Sequence, residues 1–400
     1  MRKLVFVILF VLVSTACLEK ETEKGDTVVN RLVDLGYLSE TDIAEEDIGK
    51  ANVLSYKNTS YSGLTMYCNM DIDIAYLMDM KGDIIHVISA GQGGGCTLAE
   101  PIDENSFLFL IKETALVKVD WESNIIWKIN DIFHHDMTIG ENATIYALTQ
   151  AKINNSLVSP GKEITEDYIT TITPDGKIVS KLSFSELYSK NPELLKMVEG
   201  AEADVYHVNN VEYIPQDIVY SENLTFKKGN ILVSVRNTDT IGVVDLQKRE
   251  MIWYWGPGTL NHQHNPSMTP DNNILVFDNN PERGYSSIVE VNPATEEVVW
   301  EYFGDPPKSF YSEKMGSTQR LENGNTLITE SYKGHVFEIN HKKEIVWDFW
   351  DPHINHGKRK TMYRATRLPK GFKGINVEYT GDTTPVKPNI LEVCSMLKRQ

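Results

Sequence analysis

The chain has 400 residues, 41% of them hydrophobic, and carries 56 acidic against 39 basic residues for a net charge of −17. A chain of this length can bury a large core, in several ordinary domains or in one repeat or all-β fold. Binding to nucleic acid phosphates requires clustered Lys and Arg, and the sequence contains no such block, so we exclude nucleic acid as a partner.

Residues 1–17 have the pattern of an export signal. A positively charged start is followed by the apolar run Leu4–Val13 and then by Ser14-Thr15-Ala16-Cys17. The apolar run is too short to span a bilayer. A cysteine directly after small residues resembles a bacterial lipoprotein signal, in which Cys17 becomes the lipidated first residue. We therefore expect an exported protein, lipid-anchored to a bacterial membrane and facing the periplasm or the cell exterior, with ordinary secretion as the alternative.

Three further cysteines follow Cys17, namely Cys68, Cys96 and Cys394. In an oxidising compartment they can form at most one intramolecular disulfide. We expect the bridge Cys68–Cys96, which leaves Cys394 in the C-terminal tail.

Residues 18–62 are polar and charged and contain no strong strand signal, so we interpret them as a tether and lead-in segment. From about Gly63 the chain repeats one pattern: a strand, a polar turn and a second strand. In four copies the second strand ends in tryptophan. The copies are 75–86, which lacks the tryptophan, and 116–127, 241–253, 288–300 and 336–347.

The repeat has a fixed period in its second half. Trp253, Trp300 and Trp347 are spaced by 47 and 47 residues. A period in the forties that carries hairpins without helices between them is typical of a propeller with four-stranded blades. We predict an all-β fold, a six-bladed β-propeller over residues 63–375.

Two parts of the chain depart from the repeat. An insertion around residues 150–230 contains Leu182–Glu199, which we expect to be helical, so the propeller carries a long, partly helical insertion. The last stretch, residues 376–400, has no clear repeat and is interpreted as a tail or a segment that closes the ring.

Histidines recur at one position of the repeat. Counting ten residues back from Ile145, Ile274 and Thr326, each near the start of a short apolar strand, gives His135, His264 and Gly316. The next blade offers Tyr363 and Arg364 near this register. Because equivalent positions of a propeller converge on its axis, we expect His135 and His264 to meet at one mouth of the channel, and we place His207, which also opens a hairpin, with them.

At these residues the chain resembles the bacterial arylsulfotransferases, which move a sulfuryl group between phenols without a nucleotide sulfate donor. The resemblance covers roughly residues 60–370. The motifs that carry it are His134-His135-Asp136, His207-Val208-Asn209, Ser234-Val235-Arg236, His262-Gln263-His264, Phe277-Asp278-Asn279, Phe310-Tyr311-Ser312 and residues 324–329.

The resemblance implies a six-bladed propeller with its active site at the channel mouth and no cofactor. It implies that His264 is the nucleophile that becomes a transient sulfohistidine, while His207, Asn209, Arg236 and His135 hold the sulfate oxygens. An imidazole, with a reference pKa of ~6.5, is largely neutral at working pH and can attack. Each donor aimed at the developing negative charge is typically worth ~3–4 kcal/mol.

The remaining site assignments are weaker. His262 and Ser317 join Asn209 as candidates for substrate binding, and His134 competes with His135 for its role. We also expect Asn265 and Asp278 to be turn and strand-end residues that hold the nucleophile still. The implied partners are an aryl sulfate donor and a phenolic acceptor, both small molecules, besides the membrane through the lipid anchor.

Two other functions stay open. The propeller could bind a ligand or partner protein without chemistry, or the converging histidines could hold a metal ion in a propeller hydrolase or lyase. Arg236 in the same site would repel a cation, so we assign no metal. The glycine-rich segment Gly91–Cys96 lacks the third glycine of a dinucleotide fingerprint and the Gly-Lys-Ser/Thr of a phosphate loop.

Overall fold

The computed structural model describes residues 39–375. Two strands come first, β1 (Glu40–Asp42) and β2 (Asn52–Tyr56). The first sheet then contributes β3 (Thr65–Asn69), β4 (Ile74–Met78) and β5 (Ile84–Ser89), and the second contributes β6 (Cys96–Asp103), β7 (Ser106–Ile111), β8 (Ala115–Asp120) and β9 (Ile125–Asn130).

The third and fourth sheets contain the irregular part of the chain. The third is β10 (Phe133–Ile139), β11 (Ile145–Asn154), β12 (Glu163–Ile172) and β13 (Ile178–Ser183). Helices α1 (Phe184–Ser189) and α2 (Pro192–Val198) follow, within the segment predicted to be helical, and then β14 (Ala203–Asp204), which pairs with β12. The fourth sheet is β15 (Val208–Tyr213), β18 (Ile231–Val235), β19 (Thr240–Asp245) and β20 (Glu250–Trp255), with the hairpin β16 (Ile218–Val219) and β17 (Thr225–Phe226) inserted after β15.

The last sheets are regular. The fifth is β21 (His264–Met268), β22 (Ile274–Asp278), β23 (Ser287–Val291) and β24 (Val298–Tyr302), and the sixth is β25 (Ser317–Arg320), β26 (Thr326–Glu330), β27 (His335–Ile339) and β28 (Ile345–Trp350). The chain continues with β29 (Ile354–Asn355), β30 (Lys358–Lys360) and β31 (Met362–Arg367). Short 3-10 turns occupy Glu45–Asp47, Glu141–Ala143, Arg236–Thr238, Pro307–Ser309, Ser331–Lys333 and Phe372–Gly374.

The main strands of all six sheets pair antiparallel, while β14 lies parallel to β12, and the sheets pack side by side in a ring. In the second to sixth sheets the four main strands follow one another along the chain, interrupted only by the hairpin β16–β17 in the fourth. The first sheet is completed by β31, which pairs with β3 so that Thr65 lies opposite Arg367. A separate cluster of buried apolar side chains fills each space between neighbouring sheets, including the space between the sixth and the first. The fold is therefore nearly all-β and propeller-like, as the repeat predicts.

Three of the repeated tryptophans contact the sheet that follows their own. Trp127 donates its indole N–H to the carbonyl of Pro174 at 3.0 Å, and Trp347 donates to the carbonyl of Met80 at 2.9 Å. The ring of Trp300 lies under the guanidinium of Arg320 at 5.0 Å. The sequence period therefore marks the contact that one sheet makes with its neighbour.

The N-terminal lead-in differs from the expectation for residues 18–62. Strand β2 pairs with β28 and extends the sixth sheet to five strands, and β1 pairs with β30. The segment Asn52–Tyr56 is mostly buried, with Val53 and Tyr56 packed between the sixth and first sheets. The part of the lead-in from residue 40 is thus a structural element of the ring.

The expectations for the cysteines, the tail and membrane-spanning segments differ in outcome. Cys68 and Cys96 form the predicted disulfide, which joins β3 of the first sheet to β6 of the second. Cys17, the tail at residues 376–400 and Cys394 lie outside the described residues. Within residues 39–375, none of the helices is long and apolar enough to cross a bilayer.

Candidate active site

The candidate residues are placed by irregularities at one end of three innermost strands. The pairing register shifts between Phe133 and Met137 in β10, between Val208 and Asn210 in β15, and between His264 and Ser267 in β21. Such bulges redirect side chains at strand ends.

Several candidate residues also have left-handed backbone conformations, with φ of 53° at His135, 51° at His207 and 57° at His262. Non-glycine residues adopt this region rarely, and it costs free energy that the surrounding structure must compensate. The strain therefore coincides with the histidines singled out from the sequence.

Five of the predicted residues are brought together. The rings of His135 and His207 meet edge to face with centroids 4.8 Å apart. Arg236 donates its backbone N–H to the carbonyl of His207 at 3.2 Å, and its Nη2 lies 3.1 Å from His262 Nδ1. His264 is buried close enough for the charge of Arg236 to act on it. The shared register and the resemblance together located this group.

His264 is held as one neutral tautomer. Its Nδ1 lies 2.7 Å from Asn279 Oδ1 and 3.1 Å from the carbonyl oxygen of His262. Both partners are acceptors, so Nδ1 carries the proton and Nε2 keeps its lone pair. Burial, and then the charge of Arg236, lowers the pKa of His264 to about 3. The imidazole is thus neutral at any physiological pH and keeps a lone pair on Nε2.

Asn279 fixes this tautomer because its own amide can point only one way. Its Nδ2 donates to the carbonyls of Ser312 at 2.8 Å and Met315 at 2.5 Å. Carbonyls cannot donate, so the oxygen of the amide must face His264. Asn279 is fully buried. We expect Asn265 and Asp278 to hold His264 still, but the side chain that directly contacts its Nδ1 is that of Asn279.

Those two residues have other partners. Asn265 Oδ1 accepts the backbone N–H of Thr318 at 2.8 Å, and Asp278 accepts the backbone N–H of Asn261 at 2.8 Å while pairing with Arg283 at 3.2 Å. They stabilise the turns and strands around the site. Asn279 stands beside Asp278 in a motif already quoted from the sequence, which was the available signal for its role.

His207 is oriented by a carboxylate that sequence reasoning missed. Its Nδ1 forms a hydrogen bond and ion pair with Asp204 Oδ2, which directs Nε2 away from the carboxylate. Burial alone would raise the pKa of Asp204, but the hydrogen bond from His207 and nearby positive charge outweigh it, and the pKa is lowered. A carboxylate on Nδ1 supports an imidazole that takes up and releases a proton at Nε2.

A second carboxylate stands behind His135. Asp167 Oδ1 lies 3.1 Å from His134 Nε2, and His134 Nδ1 lies 2.8 Å from His135 Nδ1. In the contact between the two Nδ1 atoms, one carries a proton and the other accepts it. Burial, followed by the charges of His207 and His134, holds the pKa of His135 well below its usual value. His134 thus supports His135.

The predicted binding residues lie at different depths. Asn209 is fully buried and donates its amide to the carbonyl of Gln263 at 2.9 Å, which ties the fourth sheet to the fifth beside His264. His262 is half-buried, and burial followed by the charge of Arg236 lowers its pKa. Ser317 lines a cavity further along the channel, together with Asn265 and Arg364.

Arg236 supplies the positive charge of the cluster. Its side chain donates to Asn237 at 2.8 Å, and burial lowers its pKa from an ordinary value far above neutrality, so it stays charged. A guanidinium presents several donors in one plane, which suits an anion with several oxygens. Among residues 39–375, no group of three or more His, Cys, Asp or Glu side chains is arranged to hold a metal ion.

Several solved structures resemble the chain at low sequence identity. A protein of unknown function from Bacteroides caccae is 12% identical with a TM-score of 0.52, covering 76% of this chain and 98% of that one. A virginiamycin B lyase from Staphylococcus aureus is 11% identical with a TM-score of 0.43, covering 79% and 88%. The β-propeller domain of Cps50 (Swd1) from Myceliophteria thermophila is 9% identical with a TM-score of 0.46, covering 78% and 96%.

No curated protein matches the chain. The family model described as arylsulfotransferase (ASST) matches residues 109–352, more than half of the sequence. That range contains His135, His207, Arg236 and His264, the residues that carry the resemblance. The chain belongs to the arylsulfotransferase family.

Proposed function

We propose that this protein transfers a sulfuryl group from an aryl sulfate to a phenolic acceptor through a sulfohistidine at His264. Membership of the family supports a sulfotransferase. The observation that carries the mechanism is the tautomer of His264: Asn279 accepts from Nδ1–H, and the lone pair of Nε2 remains for attack.

In the first step, His264 Nε2 attacks the sulfur of the donor. The N–S bond forms as the bond between sulfur and the aryl oxygen breaks, and the electron pair leaves on the phenoxide. His207, held at Nδ1 by Asp204, gives a proton from Nε2 to that oxygen. The donor phenol departs, and the sulfuryl group stays on the imidazole.

In the second step, the acceptor phenol attacks the same sulfur. His207, now neutral, or His135 takes the phenolic proton as the O–S bond forms. The N–S bond breaks, and its electron pair returns to His264 Nε2. The proton of the acceptor, taken up directly or by way of His135, returns His207 to its starting form, and the reaction uses no nucleotide or other cofactor.

Arg236 stabilises the charge that both steps share. The sulfuryl oxygens carry negative charge throughout, and a guanidinium beside His262 and His207 is placed to donate to them. Donors organised before the reaction pay little reorganisation cost, and each contributes ~3–4 kcal/mol to lowering the barrier. The same charge disfavours the imidazolium form of His264, which keeps the nucleophile neutral.

The test is transfer from 4-nitrophenyl sulfate to a neutral phenol with purified protein. Release of nitrophenol should depend on the acceptor, and brief exposure to donor carrying sulfur-35 should label the protein. His264→Ala should abolish both the label and the transfer.

His341→Ala is the matched control, because His341 is exposed in a turn of the sixth sheet. It should transfer at the wild-type rate. Turnover that persists in His264→Ala would refute the nucleophile assignment, and absence of turnover in the wild type with a range of donors would favour a ligand-binding module.

We further propose that the six sheets are the six blades of one β-propeller, that α1 and α2 form part of an insertion between two blades, and that Cys17 carries a lipid anchor that holds the exported protein on a bacterial membrane. Closure of the sheet series by β31 supports the first point. The pattern of residues 1–17 supports the anchor. Cell fractionation tests it: Cys17→Ala should move the protein from the membrane to the soluble fraction.

A further inference from the structure

A cavity of about 240 Å³ lies in the channel, bounded by the innermost strands of all six sheets. Each sheet contributes polar groups to its wall: Glu100, Thr138, Glu212, Ser267, Thr318 and Arg364. The lining residues, all within the described range, do not include His135, His207, Arg236 or His264. Between the cavity and the histidines, Tyr363 approaches the ring of His135 and donates its hydroxyl to the carbonyl of Asn209 at 3.0 Å.

The cavity wall has more carboxyl groups than cationic groups. Arg364 is its cation, but the guanidinium already pairs with Asp136 at 3.0 Å. Glu100 stands 3.9 Å from Arg364 and accepts the hydroxyl of Thr366 at 2.9 Å. Glu212 accepts the backbone N–H of Met268 at 3.1 Å and forms no ion pair with any described residue. Glu100 and Glu212 therefore lack a full counter-charge, and burial raises the pKa of both carboxyls, that of Glu212 to about 8.

Two buried oxygens add to this excess of acceptors. Asn210 is 2% exposed and donates its amide nitrogen to Asp136, which leaves Oδ1 on the other side of the amide. Neither Asn210 Oδ1 nor the hydroxyl of Thr318, itself 6% exposed, has a hydrogen-bond partner among the described residues. Buried polar atoms without partners are uncommon in native proteins and call for a bound group.

We propose that this cavity binds a hydrated divalent cation of the Mg²⁺ and Ca²⁺ class. Carboxylate, amide and hydroxyl oxygens are the ligands these hard cations prefer. The +2 charge of the ion favours the ionised forms of Glu100 and Glu212, whose pKa values burial raises. The described residues offer no ready-made cage of three or more ionisable ligands, so the ion keeps most of its water shell, as Mg²⁺ commonly does. One water requires only ~10–15 Å³ of such space, so the hydrated ion fits.

The experiment uses the full-length protein freed of metal with EDTA. Calorimetric titrations with MgCl₂ and with CaCl₂, at ionic strength held constant with KCl, should give saturable binding of one ion per chain. We expect a Kd of ~0.1–1 mM, the range of extracellular calcium modules. Saturation should also raise the melting temperature by a few degrees, because the ion binds the folded state.

Glu212→Gln should weaken binding at least ~10-fold, as loss of an outer-shell carboxylate does elsewhere. The matched control is Glu313→Gln, whose side chain is exposed and absent from the cavity wall, and it should bind as the wild type does. Thr318→Val is a second variant with the same expected direction, for use if Glu212→Gln folds poorly.

Absence of saturable binding in the wild type would overturn the proposal and leave a cavity that holds only water. An unchanged Kd in both Glu212→Gln and Thr318→Val would overturn it as well. Sulfuryl transfer measured on the same preparations reports on the histidine cluster independently, so failure of this inference is distinguishable from failure of the proposed function.

Discussion

Replacing Asn279 by alanine is the most direct test of how the nucleophile is prepared. The side chain makes three buried hydrogen bonds: from His264 Nδ1 at 2.7 Å, to the carbonyl of Ser312 at 2.8 Å and to that of Met315 at 2.5 Å. Leaving such groups unpaired costs ~1–3 kcal/mol each. We therefore expect a loss of at least ~3 kcal/mol in the free energy of unfolding.

The catalytic effect should be distinct from this loss. Without Asn279 the ring of His264 can rotate and take the tautomer with the proton on Nε2, which cannot attack. Misplacement of a reacting group by about 1 Å costs ~10²-fold in rate. We expect kcat to fall ~10²-fold while the KM for the aryl sulfate changes little, because Arg236, which would bind the sulfate, makes no hydrogen bond to Asn279.

The assay is steady-state transfer from 4-nitrophenyl sulfate, with stability measured by urea denaturation. Asn325→Ala is the matched control. Asn325 is another buried amide, and it donates to the carbonyl of Thr59 at 2.8 Å and to Glu338 at 2.6 Å, remote from His264. It should lose stability and keep kcat. A wild-type kcat in Asn279→Ala, under conditions where the variant is folded, would refute the positioning role.

The isosteric change Asn279→Asp separates orientation from charge. The carboxylate can still accept from His264 Nδ1, but it favours the imidazolium form. Sulfuryl transfer should therefore acquire an acid limb near neutrality that the wild type lacks. A pH–rate profile identical to that of the wild type would show that the amide does not contact the imidazole during the reaction.

Three further predictions concern the groups around the cluster and the frame that holds them. Asp204→Asn should lower kcat ~10–10²-fold with donors that release a basic phenoxide and much less with nitrophenyl donors, because only basic leaving groups need the proton of His207; equal losses for both would argue against an acid role. The pKa of His264 is about 3 in the folded protein against 6.5 in a model compound, so the unfolded chain binds more protons between these values. His264 therefore leaves the free energy of unfolding unchanged above pH ~6.5. As the pH falls from 6.5 towards 3, protonation of this histidine in the unfolded chain lowers the free energy of unfolding by up to ~5 kcal/mol. His264→Asn should accordingly show a shallower loss of urea stability from pH 6.5 to 4, and parallel curves would contradict the assignment. The cysteines of the bridge Cys68–Cys96 are 28 residues apart, and replacing both with serine should lower the free energy of unfolding in denaturant by ~3–4 kcal/mol. An unchanged denaturation midpoint would mean that the disulfide does not stabilise the fold.

The repeat made the ring of sheets predictable because each hairpin is local in sequence. A strand, a turn and a strand ending in tryptophan lie within 13 residues, and each tryptophan packs on the next sheet. The second strands are predictable for a related reason. Strands such as Ser106–Ile111 and Ile274–Asp278 are buried at every residue, so they read as short continuous apolar runs.

The strand Asn52–Tyr56 could not be predicted in the same way. Its partner is Trp347–Trp350, almost 300 residues later, and its sequence contains no neighbouring hairpin. It forms a strand because it pairs with the edge of β28, far along the chain. A single sequence does not reveal that edge.

The sequence predicted which positions of the repeat contribute to the candidate site, but not which residues orient their side chains. His135 and His264 occupy one position of the repeat, and the family motifs added His207 and Arg236. The residues that set tautomers do not follow the repeat: Asp204 precedes an innermost strand, and Asn279 follows a second strand in another sheet. Each of these two residues acts through the histidine ring nitrogen that it contacts. The strand bulges place the rings, and the carbonyls of Ser312 and Met315 orient the amide of Asn279.

The pairing of β31 with β3 has a consequence for how the chain reaches its native state. Thr65 and Arg367 face each other across this junction, so the first sheet stays at three strands until nearly the whole chain has left the ribosome. Contacts this distant in sequence make folding slow, and during that interval the unpaired edge of β3 is open to other chains. A truncated product ending before Met362 would keep that edge permanently. We therefore expect such fragments to aggregate rather than accumulate as soluble partial rings.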